Sequence, residues 1–206
     1  LLRRYRDRGL IREKVPSRDV EDVFIPFTEP DEKDLYERIE EYITDYWRKA
    51  ERTNNKGLGF VMTIYRQRLT SSLYAVRRSL QRRLSDLVRG IAAEQAGLIE
   101  EDRLDEEVLD RDDIEDILSG ETSATGDVNQ EIQYLQDFIR ELEDAPRDSK
   151  FDRFVDDLNE QLRIHSKAII FTQYGDTMHY LRRQLRPVFG TELACYSGAG
   201  GEYWDG

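Results

Sequence analysis

Residues 167–180, KAIIFTQYGDTMHY, decide how this chain is read. Ala168, Ile169, Ile170 and Phe171 form a short apolar run bounded by polar residues, which predicts a buried parallel strand. Thr172, Gln173 and Tyr174 follow at its carboxyl end, where α/β sheets place their ligands. Gly175 and Asp176 can turn the chain and cap a helix through Met178, Leu181 and Leu185 that ends near Pro187. Residues 192–196 predict the next strand, and Ser197-Gly198-Ala199-Gly200-Gly201 a turn after it. This is βαβ grammar, and it follows a long, mainly helical stretch, so two structural units are expected.

Working back from there, residues 22–27 (DVFIPF) are β-prone. Pro26 removes a backbone donor, however, which predicts an edge or connecting strand. Thr28, three residues before Asp31, predicts a helix cap with Pro30 in the first turn. Leu35, Tyr36, Ile39, Tyr42, Ile43, Tyr46 and Trp47 recur at three and four and share one helix face, with residues 53–57 (TNNKG) closing it as a loop. Met62, Tyr65, Leu69, Leu73, Val76, Leu80, Leu84, Leu87 and Ile91 then predict one long unbroken helix. After it, Leu104, Val108, Ile114, Ile117 and Leu118 allow a short amphipathic helix, and residues 119–127 read as a flexible loop. Ile132, Leu135, Phe138, Ile139 and Leu142 mark a helix ending before Pro146. Phe151, Phe154, Val155, Leu158 and Leu162 mark another, behind a Ser149/Asp152 capping box.

The formal net charge of -12 argues against non-specific nucleic-acid binding by the whole surface of the 206-residue chain. The average hides a contrast. Residues 1–89 hold 20 basic and 15 acidic side chains, whereas residues 90–162 hold 6 basic and 24 acidic ones. The long helix carries Arg66, Arg68, Arg77, Arg78, Arg82, Arg83 and Arg89, opposed in the same span only by Asp86. Arginines this dense repel one another unless an anion lies near. Two anions are open: the acidic segment that follows, which has 11 acidic residues within 100–116, or a nucleic-acid backbone. A lone cysteine, Cys195, excludes an internal disulfide framework and fits a reducing, cytoplasmic compartment. No apolar run is long enough for a membrane span.

Catalytic constellations are missing. No G-x-x-x-x-G-K-[ST] loop is present, and the glycines after Ser197 have no lysine behind them. The acidic run lacks calcium-loop spacing and its central glycine. His165 and His179 are isolated and read as packing or surface residues, and Cys195 as a small buried hydrophobe. We therefore expect no catalytic residue, no metal site and no cofactor in this chain. Thr172 and Gln173 are the best ligand candidates, as donors to a phosphate or sugar, with Tyr174 able to stack. The alternative is a polar loop that only caps the next helix.

At this point the residues resemble a known pattern. Lys167-Ala-Ile-Ile-Phe171-Thr-Gln-Tyr174-Gly-Asp-Thr-Met, with Leu181, Leu185 and then Tyr196-Ser197-Gly198, resembles motif IV and the next strand in the second RecA-like lobe of Swi/Snf-type helicase-like ATPases of superfamily 2. Leu1-Leu2-Arg3-Arg4, Lys14-Val15-Pro16, residues 23–27 and Glu29 to Tyr36 are similar to that family's bridge after the first lobe. The Thr-Gln-Tyr variant and the large helical insertion are similar to helicase-like proteins of restriction or anti-phage systems.

The resemblance implies a mainly α fold with a small α/β part: a helical insertion bundle followed by a truncated RecA-like lobe. Residues 1–27 would be the inter-lobe linker with a short strand, 28–163 the helical insertion, and 164–206 the start of the second lobe. It implies DNA, duplex by preference, as partner, together with the parent's remaining lobes or a partner subunit. Thr172, Gln173 and Tyr174 inherit a place near the DNA backbone, and Arg3 and Arg4 an inter-lobe position. Arg77, Arg78, Arg82 and Arg83 are the candidate DNA contacts on the long helix. ATP and magnesium belong to the intact parent, whose phosphate-binding lysine, Asp-Glu pair and late arginines have no counterpart here. The rival expectation is a helical protein–protein interaction module without nucleic-acid binding. Only two strands also imply an exposed sheet edge, met either by a disordered tail or by self-association.

Overall fold

The computed structural model describes residues 20–96, 128–145, 148–198 and 200–203. Arg3 and Arg4, the acidic residues 100–116 and the loop 119–127 lie outside the described residues. Among the described residues six α-helices carry the fold: α1 (Pro30–Thr53), α2 (Lys56–Ser71), α3 (Leu73–Ala96), α4 (Val128–Asp144), α5 (Ser149–Ile164) and α6 (Gly175–Phe189). A 3-10 turn (Gly190–Glu192) leads to β1 (Ala194–Ser197) and β2 (Gly200–Tyr203). The chain is thus mainly helical with a two-stranded sheet.

The first four helices share one apolar core. Leu35, Ile39, Tyr42 and Ile43 of α1 meet Leu58, Val61, Met62, Tyr65 and Leu69 of α2, Val76, Leu80 and Leu87 of α3, and Leu135, Phe138 and Leu142 of α4. The helical period of these side chains makes one continuous stripe per helix, which is why four helices suffice to close it. Pro30 opens α1, where its missing N–H costs nothing. Asn54 ends α1 in the left-handed conformation, φ 53°, and its N–H returns to Ala50 and Glu51 carbonyls. Asn55 then caps α2 by accepting from Leu58 N at 3.0 Å, so the 53–57 loop contracts to a two-residue joint.

Several expectations are corrected. The long helix is two helices, broken at Ser72, whose backbone is extended at φ -163° and ψ 151°. Ser72 Oγ accepts from Ala75 N at 3.0 Å and starts α3 as a new helix. The apolar stripe passes through the break because α2 and α3 pack on each other. Thr28 does not cap α1. Glu29 occupies the cap position without a side-chain bond, and Thr28 instead bonds through N and Oγ1 to Ser149 Oγ, at 3.0 and 2.7 Å. Asp148, not Ser149, caps α5 by accepting from Phe151 N at 2.9 Å. Ser149 is buried, donating through N and Oγ to Glu32 of α1, which ties α5 to the bundle. Residues 20–28 form no strand. As expected, α6 ends near Pro187, which sits in its last turn before Phe189 and removes only one bond from a helix already closing.

The largest correction concerns residues 168–171. They make no strand, and Ile169 and Phe171 are 81% and 90% exposed. An apolar run becomes a buried parallel strand only beside other strands, and among the described residues none lies next to it. The strand expected at 192–196 forms as β1, but it pairs antiparallel with β2 in a hairpin, Ala194 opposite Tyr203 and Ser197 opposite Gly200. Gly200 has φ 114°, which the hairpin turn demands and a glycine supplies at no steric cost. The βαβ order is therefore replaced by a helix followed by a hairpin. Cys195 is half-buried in β1 and not fully enclosed.

Candidate functional site

Thr172, Gln173 and Tyr174 do form the loop before a helix, but they face different ways. Tyr174 is buried at 2% exposure, and its hydroxyl donates to Gln67 Oε1 at 2.8 Å. The Arg68 guanidinium stands 4.8 Å from the centre of its ring, a cation–π approach inside the protein. Thr172 Oγ1 donates to the Tyr174 carbonyl at 2.9 Å and holds the loop's shape. Gln173 is exposed. Of the three, Gln173 offers its side chain most openly to solvent, while Tyr174 anchors.

Asp176 completes the anchor. It sits in the first turn of α6, where a carboxylate is favoured by the helix dipole. It is not the cap: Arg68 Nη1 donates to its Oδ2 at 2.7 Å and Arg82 Nη2 at 3.1 Å. Arg68 is fully buried, and charged groups at such depth are held by partners. Thr177 adds hydroxyl contacts to Ser71 at 2.9 Å and Ser72 at 3.1 Å. The start of α6 is thereby bolted to the α2–α3 joint.

The four candidate arginines of α3 separate. Arg83 is buried, its Nε donating to Glu131 Oε1 at 3.0 Å, and the Tyr42 hydroxyl donates to the same oxygen at 3.0 Å. Burial works against the Arg83 charge, but Glu131 and Tyr42 more than offset it and hold its pKa above the ordinary value. Burial, helped by Glu131, pushes the Tyr42 hydroxyl well above its ordinary range. Arg82 serves Asp176. Arg77 is largely covered, with its guanidinium 5.2 Å from the Tyr74 ring centre and 3.9 Å from Glu143. Arg78 is exposed and reaches Gln81 at 3.4 Å. The anions these arginines meet thus come from α4 and α6, through Glu131, Glu143 and Asp176.

Two clefts flank α5 and α6. One, about 240 Å³, lies between the α2–α3 joint, the start of α5 and residues 170–181, and includes Lys150, Phe154, Thr172 and Gln173. Lys150 Nζ donates to the Ser71 carbonyl at 2.9 Å, closing the end of α2, and burial lowers its pKa while Asp148 opposes the shift. The other, about 450 Å³, opens around Tyr74, Arg77, Tyr180 and Arg183. Tyr74 stacks on Tyr180 at 5.4 Å, and the Tyr180 hydroxyl donates to Asp148 at 3.0 Å. Burial and Asp148 together raise the Tyr180 hydroxyl pKa.

His165 and His179 are both exposed. Among the described residues no three His, Cys, Asp or Glu side chains gather as a metal site would require. No helix among them is long and apolar enough to cross a membrane. Glu131, Tyr74 and Lys150 escaped the sequence reading. Asp176 gave a signal, an acid directly after the candidate loop, but it read as a helix cap. Glu131 was one of many acids, and nothing local marks it as buried. Compared with protein-family models, curated proteins and solved structures, the chain matches none.

Proposed function

We propose that this chain is a non-catalytic part of an ATP-dependent DNA translocase of the Swi/Snf-like kind, contributing backbone contact and coupling between motor lobes. In this reading the helical bundle is an insertion and residues from 164 onward begin a RecA-like lobe. ATP and magnesium would act elsewhere in the intact parent, and Arg3 and Arg4 would lie between lobes. The observation that carries the reading is the division of labour in the loop. Gln173 and Thr172 stand where a ligand can reach them, while Tyr174 and Asp176 are locked to Arg68 and Arg82. A pull on the loop is passed to the α2–α3 joint without a flexible link.

The test is duplex binding by the chain, followed with a labelled oligonucleotide over a salt series. Thr172→Ala/Gln173→Ala should weaken binding several-fold, and Gln173→Ala alone, at an exposed position, should do so with unchanged thermal stability. Unchanged affinity would remove the loop from the contact. A second reading, a protein–protein interaction module, is favoured by the exposed Ile169 and Phe171. It expects no duplex affinity in the wild-type chain and loss of partner-subunit capture in Phe171→Asp.

A further inference from the structure

Opposite the buried Thr177 and Leu185, α6 presents His179, Arg182, Arg183 and Arg186. Positions i, i+3, i+4 and i+7 fall on one face, so these four cations are neighbours. His179, Arg183 and Arg186 are exposed and Arg182 half-buried, and they border one concavity of about 610 Å³ with Pro187 and Gly190. The single acid of the α6 sequence, Asp176, is turned to Arg68 and Arg82. Like charges on one face weaken a helix, and the chain as a whole carries -12. A concavity bordered by four cations therefore stands out against the average composition.

Arg183 is also presented in a particular way. Its guanidinium lies 5.0 Å from the Tyr74 ring centre, beside the ring that Arg77 approaches at 5.2 Å. A guanidinium held on an aromatic ring loses less freedom on binding and keeps its planar fork for a phosphate. We infer that this face of α6 binds the phosphate backbone of a nucleic acid. The inference rests on the proposed function and adds a charge contact on α6, where four cations border one concavity.

The experiment is fluorescence anisotropy of a labelled random-sequence duplex with the full chain, over a salt series. Arg183→Gln/Arg186→Gln should weaken binding at least ten-fold at low salt and flatten the log–log salt slope by about 2, one phosphate for each arginine. Arg183→Lys/Arg186→Lys should keep most of the slope. Hydrogen exchange of the wild-type chain should show α6 amides protected by the duplex, a measurement independent of any variant's folding. Unchanged slope in the glutamine variant, or duplex protection confined to residues 170–174, overturns the inference and leaves the loop reading standing. Loss in the α6 variant with none in Thr172→Ala/Gln173→Ala supports the inference and removes the loop. Competition by poly-glutamate as strong as by the duplex identifies an acidic protein as the ligand and overturns it, as does absence of nucleic-acid binding.

Discussion

Glu131 and Arg83 are almost fully buried together, and the Tyr42 hydroxyl completes the group. Breaking a buried pair leaves one charge uncompensated, so Glu131→Ala should destabilise the chain by about 3–5 kcal/mol. Arg83→Met/Glu131→Leu should cost much less, because both desolvation penalties go at once. Urea denaturation of both variants checks this, and equal losses would refute the pair's role. Glu141 offers a pH signature. Arg38 hydrogen-bonds it and holds its pKa below the ordinary 4.5, with burial opposing. A depressed carboxylate stabilises above its unfolded pKa and ceases to do so as pH falls through its folded value. Both side chains are more than a third exposed, so the contribution is below about 1 kcal/mol. Glu141→Gln should therefore melt slightly lower than wild type at pH 7, with the difference shrinking as pH falls below 4.5. The sequence showed the arginines as a charge problem without naming the solution. Glu131 lies 48 residues from Arg83, and Asp176 lies 94 from Arg82, distances that only the packed helices close.

At the scale of elements, Ser72 decides how α6 meets the bundle. Its hydroxyl caps α3 at Ala75 and also touches Thr177 Oγ1 at 3.1 Å. Ser72→Ala should cost about 1–2 kcal/mol through the lost cap and raise hydrogen exchange at the starts of α3 and α6 together. Faster exchange in α3 alone would mean the Thr177 contact does not dock α6. The apolar stripes of α1, α4, α5 and α6 were legible because each helix has one uninterrupted face. The break at Ser72 was not, since Leu69, Leu73 and Val76 keep the helical period straight through it. A cap buried under another helix leaves no trace in periodicity. The reverse error occurred at Thr28, where a good capping residue is taken instead by Ser149 across the fold.

Across the whole molecule, apolar exposure is uneven. The four-helix core is sealed, with Ile39, Ile43, Val61 and Met62 at 0% exposure. Outside it, large apolar side chains stand in solvent on several segments: Phe24 is 86%, Ile164 69%, Ile169 81%, Phe171 90% and Tyr196 84% exposed. The strand pattern of residues 168–171 was legible, but a strand needs a neighbour, and pattern alone does not supply one. Ile169, Ile170 and Phe171 stand exposed in succession, and a contiguous exposed apolar patch marks a surface that another body covers. In a solution of this chain alone, the body at hand is a second copy. Sedimentation should show association that grows from micromolar toward near-millimolar concentration. Ile169→Asp/Phe171→Asp should suppress it and leave the melting temperature unchanged, because neither side chain touches the sealed core. A lowered melting temperature would mean the segment stabilises the bundle. A wild-type chain that stays monomeric throughout would show that this surface is not covered by its own kind.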